Sequence, residues 1–466
     1  MLLPTKLLHF GLVLTVCVTD AFWQNGQSFK KDSCFCHLSG QVDDCCCSIE
    51  DVAKLNLHIY PRLTNLVQRN YFKYVKINLH TGCPFWPDWN QCAIKDCSVD
   101  KCLEDELPIG LKKNGKSKYT ENKYSEEANT EDKGPCAVGS EESLGDVDHN
   151  ISDDQREALK EWSEYDADSS YTVDLDEDSK DAKWVDLILN PEKFTGYTGQ
   201  GANRIWIAIY KENCFLPEKR MKTFDELQSV FLSKTCLEKR VFYRTMSGLH
   251  ASINIDLSYN SLITDPRFPS KPQWGPDLED FERRFDPVAT KGNGPHWLKN
   301  LYFTYLLTLR AVTKAAPYWK EAVFFTGDEK EDKEVKQIIL ELIKSSKTCP
   351  STFDETQMFT GDPAKANALK EEFRLHFKNV TRIMDCVGCE KCRLWGKLQT
   401  HGLATAMKIL FSSDKWDKIP VINGKRFSLR RTEIVGLFNV LNKLSHSVHY
   451  IGEFKKMSER KNRKEL

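Results

Sequence analysis

Three cysteines recur at intervals of three in Cys386-Val-Gly-Cys389-Glu-Lys-Cys392. On a helix this spacing brings successive thiols onto one face, and a Cys-x-x-Cys pair closes a disulfide with little rearrangement. Near a helix N-terminus the dipole stabilises the thiolate, which makes such a pair redox-active. Lys391 and Arg393 add positive charge. An iron–sulfur run would need a fourth cysteine at a fitting spacing, and no cysteine follows Cys392. Zinc meets the same objection unless its other ligands are distant. A redox-active pair ranks first, a structural bridge second and a metal site last, because an oxidising compartment favours disulfide chemistry.

A second cysteine group, Cys92-x4-Cys97-x4-Cys102, offers two rings of equal length. Loop-closure entropy depends chiefly on length and cannot choose between them. Cys97 is therefore a candidate switch, and Cys102 a candidate regulatory partner. The stretch Thr195-Gly-Tyr, Trp206 and Ser247-Gly-Leu-His250 lacks any Gly-x-Gly-x-x-Gly or Walker-type loop. On its residues alone, His250 reads as a packed core histidine and Trp206 as a core aromatic.

The compartment follows from the other cysteines and the N-terminus. Seventeen cysteines in 466 residues are too many for a reduced cytosol. Lys6 precedes the apolar run Leu7–Val18, with Ala21 as a cleavage edge, so residues 1–21 read as a secretory signal that would remove Cys17. No later apolar run reaches 18 residues, so no transmembrane span is expected. A net charge of −1 gives no basic field for nucleic acid. The terminal Arg463-Lys464-Glu465-Leu466 is a relative of the lumenal retention tail, or equally a solvated basic end.

The positioning elements come next. Residues 22–110 form a cysteine-rich, loop-heavy region with Cys34, Cys36, Cys45, Cys46 and Cys47 flanking a hairpin signal at Gly40 and Asp43-Asp44. Residues 111–183 read as an acidic mobile loop, since 141–181 hold sixteen Asp or Glu against three Lys or Arg. Asn150-Ile-Ser and Asn379-Val-Thr are glycosylation sequons. Residues 184–454 are helical: Leu298, Leu301, Tyr302, Tyr305, Leu309 and Val312 share one face, as do Phe373, Phe377, Val380 and Met384, and Leu403, Met407 and Leu410 continue another. Residues 455–466 are a basic tail. The expected fold is mainly α, a single helical bundle with the disulfide-rich N-terminal region folded against it.

Several blocks together resemble one family. Cys386-Val-Gly-Cys389-Glu-Lys-Cys392-Arg-Leu-Trp-Gly-Lys-Leu-Gln is similar to the active-site segment of the endoplasmic reticulum oxidoreductins. Cys34-Phe-Cys36, Asp43-Asp44-Cys45, Cys83-Pro-Phe-Trp and Ser247-Gly-Leu-His250-Ala-Ser-Ile-Asn match in the same order. The resemblance implies a bundle that holds FAD and a thiol oxidase that takes electrons from protein disulfide isomerase and gives them to O2, forming hydrogen peroxide. It implies Cys389–Cys392 as the inner pair, with Cys392 nearer the flavin, and Cys92–Cys97 as the outer shuttle pair. It implies structural bridges Cys83–Cys386, Cys34–Cys47, Cys36–Cys45 and Cys214–Cys236, and FAD contacts at Lys193, Thr195, Trp206, Ser247, His250 and Arg284. The family uses the equivalent of Cys136 for an inhibitory bridge to Cys92. Lys193 stands where the family usually has Arg, and Trp297 replaces another FAD-contacting Arg, losing both the charge and the planar fork. Cys46 and Cys349 have no family partner. The implied location is the endoplasmic reticulum lumen, with peripheral association at the lumenal membrane face. The rival classes are a non-enzymatic disulfide-framework binding protein of the secretory path and a flavin-free thioredoxin-like oxidoreductase. The latter would place its cysteines after a βα unit, which the helical context here does not supply.

Overall fold

A computed structural model describes residues 49–83, 97–112, 175–192, 199–212, 237–263, 273–346, 363–412, 416–422 and 425–465. It starts with helix α1 (Ile49–Val67), a short α2 (Asn70–Lys73) and strand β1 (Tyr74–Ile77). Strand β2 (Lys183–Asp186) pairs antiparallel with β1, from Tyr74 opposite Asp186 to Ile77 opposite Lys183. Helices α3 (Gly199–Glu212) and α4 (Leu237–Tyr259) follow, then a hairpin of β3 (Ser261–Ile263) and β4 (Gln273–Gly275). The remainder is α5 (Leu278–Phe285), α6 (Asn293–Lys314), α7 (Ala316–Glu321), α8 (Glu329–Ser346), α9 (Pro363–Met384) and α10 (Glu390–Ser412). A two-residue ladder of β5 (Val421–Ile422) and β6 (Lys425–Arg426) precedes α11 (Arg431–Glu465).

The mainly helical architecture agrees with the expectation from the sequence. All three expected apolar faces form helices: the Leu298–Val312 set lies on α6, Phe373–Met384 on α9 and Leu403–Leu410 on α10, all at the core. Helix starts carry local signals. Asp277 caps α5 by accepting from the Asp280 N–H at 2.9 Å, and the Glu433 carboxylate reaches back to the Arg430 N–H at 2.8 Å before α11. The 35-residue α11 is the central post, packing against α1, α4, α6 and α10. Its closest crossing is with α10 at Gly436 and Gly402, where a Cβ on Gly402 would run into the Gly436 carbonyl. Glycine at both positions lets the two backbones touch.

Helix α1 belongs to this bundle, packing on α11 and α8 through Val52, Leu55, Ile59, Leu63 and Leu66. The N-terminal cysteine-rich region therefore contributes a core helix as well as loops. Among the described residues no helix is long and apolar enough to cross a membrane.

Candidate active site

Cys389 immediately precedes α10 and occupies its N-cap position. Its carbonyl accepts the Arg393 N–H at 2.8 Å and its Sγ accepts the Cys392 N–H at 3.3 Å. The Cys392 thiol points at the Cys389 Sγ, 2.7 Å away, and both residues are buried. The Cys389 thiol is held below the usual thiol range, first by the Cys392 hydrogen bond. The N–H groups of Cys392 and Lys391 and the Lys391 charge work the same way, and together they outweigh burial. The sequence-level argument from helix position and positive charge thus has a concrete geometry: a sulfur capping its own helix.

Two buried cations brace the turn before this helix. Arg393 donates to the Val387 carbonyl through Nε at 3.0 Å and Nη2 at 2.7 Å, and through Nη1 to the Leu79 carbonyl. Lys397, only 1% exposed, donates to Asp385 Oδ1 at 2.8 Å and to the Asn78 carbonyl at 3.4 Å. A disulfide joins Cys83 to Cys386 across a sequence separation of 303. Three links therefore fix residues 78–83 against the turn 385–387. In the sequence Arg393 is no more than an added positive charge and Lys397 carries no signal, since a charged residue reads as solvated until its partners are known.

Cys97 is buried and disulfide-bonded, whereas Cys102 carries a free thiol, so these two do not close a ring with each other. Burial, with Asp186 and Glu106 nearby, pushes the Cys102 thiol up. The segment after Cys97 lies along β2: Lys101 bridges to Val185, and the Cys102 N–H donates to the Trp184 carbonyl at 2.9 Å.

An apolar cleft lies beside the dithiol. Its walls are Ala202, Ile205, Trp206 and Ile209 of α3, Met246, Leu249 and Ile253 of α4, and Val380 and Met384 of α9, closed by Val387 and Gly396. Its empty volume, including the open side, is ≈ 470 Å³. Gly396 lies one turn beyond Cys392, and a Cβ there would collide with the Met384 sulfur. Trp206 stacks on His250 with ring centroids 3.7 Å apart at 14°. Burial, and then the Arg284 charge, lower His250 to about 3, so its ring is neutral at physiological pH.

The remaining cofactor candidates sit on α4, α5 and α6. Ser247 Oγ accepts from Asn300 Nδ2 at 2.9 Å. Arg284 donates to Asp280 Oδ2 at 2.7 Å and to Asn254 Oδ1 at 2.9 Å. Trp297 packs edge-on to Phe285, and its Nε1 is buried with no hydrogen-bond partner. An apolar cleft walled by Trp206, and the unmet buried donor of Trp297 outside it, are features that a large aromatic cofactor with a polar tail such as FAD would use.

Cys34, Cys36, Cys45, Cys47, Cys92, Cys136, Cys214, Cys236, Asn150, Lys193 and Thr195 lie outside the described residues, as do Cys46 and Cys349. Asn379 sits half-buried within α9, with the Thr381 hydroxyl donating to the Phe377 carbonyl at 3.0 Å.

The chain is similar to several known proteins. The family described as Endoplasmic Reticulum Oxidoreductin 1 matches residues 58–451. ERO1-like protein alpha of Mus musculus is 45% identical over 435 residues, covering 91% of each chain. Ero1-like protein of Drosophila melanogaster is 42% identical over 465 residues, covering 95% of this chain and 96% of its own. A solved structure of Ero1p, described as a source of disulfide bonds for oxidative protein folding in the cell, superposes with TM-score 0.58 at 28% identity, over 90% of this chain and all of that one.

Proposed function

Because the chain belongs to the Endoplasmic Reticulum Oxidoreductin 1 family, we propose that it is an FAD-dependent thiol oxidase of the endoplasmic reticulum lumen that reoxidises protein disulfide isomerase. The observation that carries this reading is the Cys389–Cys392 dithiol at the N-terminus of α10, buried beside an apolar cleft, with the disulfide-bonded Cys97 in the same core. Peripheral association with the lumenal membrane face is part of the same reading.

The work divides between two cysteine pairs. A reduced isomerase gives two electrons to an outer Cys92–Cys97 disulfide by thiolate attack, through a mixed disulfide. One outer thiolate then attacks one sulfur of the Cys389–Cys392 disulfide, and the other inner sulfur leaves as thiolate. The second outer thiolate attacks its own partner's sulfur in that mixed disulfide and releases the inner dithiol. Two electrons and two protons have moved inward, and the outer disulfide is restored.

The α10 N-terminus stabilises thiolate at Cys389, and Cys392 donates its S–H to that sulfur, so negative charge on the pair is shared where it must develop. FAD, when bound, supplies the two-electron acceptor and the route to O2, with hydrogen peroxide as product. Trp206 and neutral His250 present aromatic faces to such a ring system, Ser247 and Arg284 offer polar contacts, and the apolar walls exclude water. Lys193 and Thr195 belong to the same proposed set.

A bound-flavin spectrum, oxygen consumption driven by reduced isomerase and matching peroxide release test the reading together. A folded protein that is colourless and inert with added FAD refutes it and restores a non-enzymatic binding protein.

A further inference from the structure

Glu390 is the first residue of α10, next to Cys389, and its Oε2 accepts the backbone N–H of Val99 at 3.0 Å. Val99 is two residues beyond Cys97 and is itself buried. The next N–H, of Asp100, donates to Asn190 Oδ1 at 2.7 Å, and Asn190 Nδ2 returns a bond to the Asp100 carbonyl at 2.9 Å. Asn190 is wholly buried, and its carbonyl accepts Trp395 Nε1 of α10 at 2.7 Å. At the other end of the same segment, Cys83 is bonded to Cys386. Cys83 and Val99 therefore each plant a foot on the turn that carries Cys389, one covalently at position 386 and one through a carboxylate at position 390.

The two feet are unequal. The disulfide at Cys83 holds unless it is reduced. The Val99 foot rests on a charge-assisted hydrogen bond, backed by the Asn190 pair, and a side chain can withdraw from it without breaking a covalent bond.

We infer that Glu390 is a positioning residue for exchange between the two cysteine pairs: its carboxylate latches the Cys97 segment onto the helix that Cys389 caps. This rests on the oxidase reading above. Exchange between the two pairs of one chain is intramolecular, and tethering both feet raises how often the outer sulfurs sit against the inner pair, on which its rate depends. A small dithiol that enters the cleft directly does not use the latch. Glu390 would thus govern electron entry from a protein donor and leave direct reduction of the inner pair alone.

The experiment compares wild-type, Glu390→Gln and Glu390→Ala as full-length holoproteins. Hydrogen exchange by mass spectrometry over residues 97–102 reads the latch without reference to activity. Oxygen consumption is measured with reduced isomerase and, separately, with dithiothreitol. Glu390→Ala is expected to speed exchange in this segment and lower isomerase-driven turnover, each on the order of tenfold, the effect of losing one partly buried hydrogen bond to a charge. Turnover with dithiothreitol stays within about twofold, because no latch is needed for direct access. Glu390→Gln, which keeps an acceptor oxygen, falls in between.

Unchanged exchange over 97–102 in Glu390→Ala overturns the latch. Equal losses with both reductants also overturn it, since Glu390 would then act on the inner pair itself. A wild-type protein with no isomerase-driven turnover sinks the oxidase reading instead, while the exchange result still reports on the Val99 contact.

Discussion

Replacing Lys397 with Met should cost stability in a strongly pH-dependent way. Lys397 is almost wholly buried and is the principal counter-charge of Asp385, which precedes the disulfide-bonded Cys386. Burial already raises Asp385 above the usual carboxylate range, with Lys397 first and Arg393 after it working against that rise. A carboxyl whose folded pKa lies above its unfolded value contributes most at low pH, and that contribution is lost as pH rises through the folded pKa. Removing Lys397 pushes the folded value higher still, so the mutant's deficit must grow from acid to neutral pH.

The ceiling is the cost of keeping Asp385 protonated, ~1.36 kcal/mol per pH unit above an unfolded value of about 3.9. That gives about 5 kcal/mol at pH 7.5 and about 2 kcal/mol at pH 5.5, and the upper figure agrees with the ~3–5 kcal/mol typical of breaking a buried ion pair. With an unfolding entropy of about 2.1 cal/mol/K per residue, the 466 residues convert these limits to losses of about 5 °C and about 2 °C in Tm. Differential scanning calorimetry of the oxidised protein at both pH values checks this. The Lys397→Met/Asp385→Asn double variant should recover most of the loss at pH 7.5, because no uncompensated charge then remains buried. A deficit that is flat with pH, or a double variant as unstable as the sum of the singles, would refute the reasoning.

Cys389→Ser or Cys392→Ser should abolish isomerase-driven oxygen consumption in a folded protein, and wild-type turnover in either would remove the inner pair from the mechanism. Alkylation of the reduced protein should reach half-maximal rate at lower pH for Cys389 than for Cys102, since one thiol is held down and the other pushed up; the reverse order in peptide mapping would contradict the capping geometry. His250→Ala should lower flavin occupancy, with added FAD restoring Tm by linkage, whereas full occupancy in a destabilised variant would make His250 a packing residue. Trp297→Arg should tighten FAD binding if this position weakens contact with the polar tail. Cys102→Ser should raise isomerase-driven activity and remove any redox-dependent lag if Cys102 competes for Cys97; unchanged or lower activity in a stable variant defeats that switch.

Spacing alone revealed the bundle wherever one helix face is apolar along its whole length, as on α6, α9 and α10. Helix α1 carries the same signal in Val52, Leu55, Ile59, Leu63 and Leu66, but the neighbouring cysteines drew its region toward a loop-rich reading. The Cys-x-x-Cys pair stood out as a candidate site because the residue type names the reaction it could carry. The groups that hold it in place were not. Glu390 and Lys397 look like surface charges in sequence, and their partners Val99, Asn78 and Asp385 lie up to 319 positions away. Long-range pairing of a charge with a backbone carbonyl or N–H leaves no periodic trace.

The Cys83–Cys386 bond also sets an order of events at the ribosome. Its two halves emerge 303 residues apart, which at about 5–20 residues per second separates them by roughly 15–60 s. During that interval Cys83 has no native partner, while Cys92, Cys97 and Cys102 are already translated close by. Disulfide exchange among neighbouring thiols proceeds on the same timescale, so any early pairing of Cys83 must be undone before the turn that carries Cys389 can be clasped. A newly made chain therefore depends on the same thiol–disulfide traffic that the finished protein is proposed to drive, and its yield should fall in a lumen poor in isomerase before its activity does.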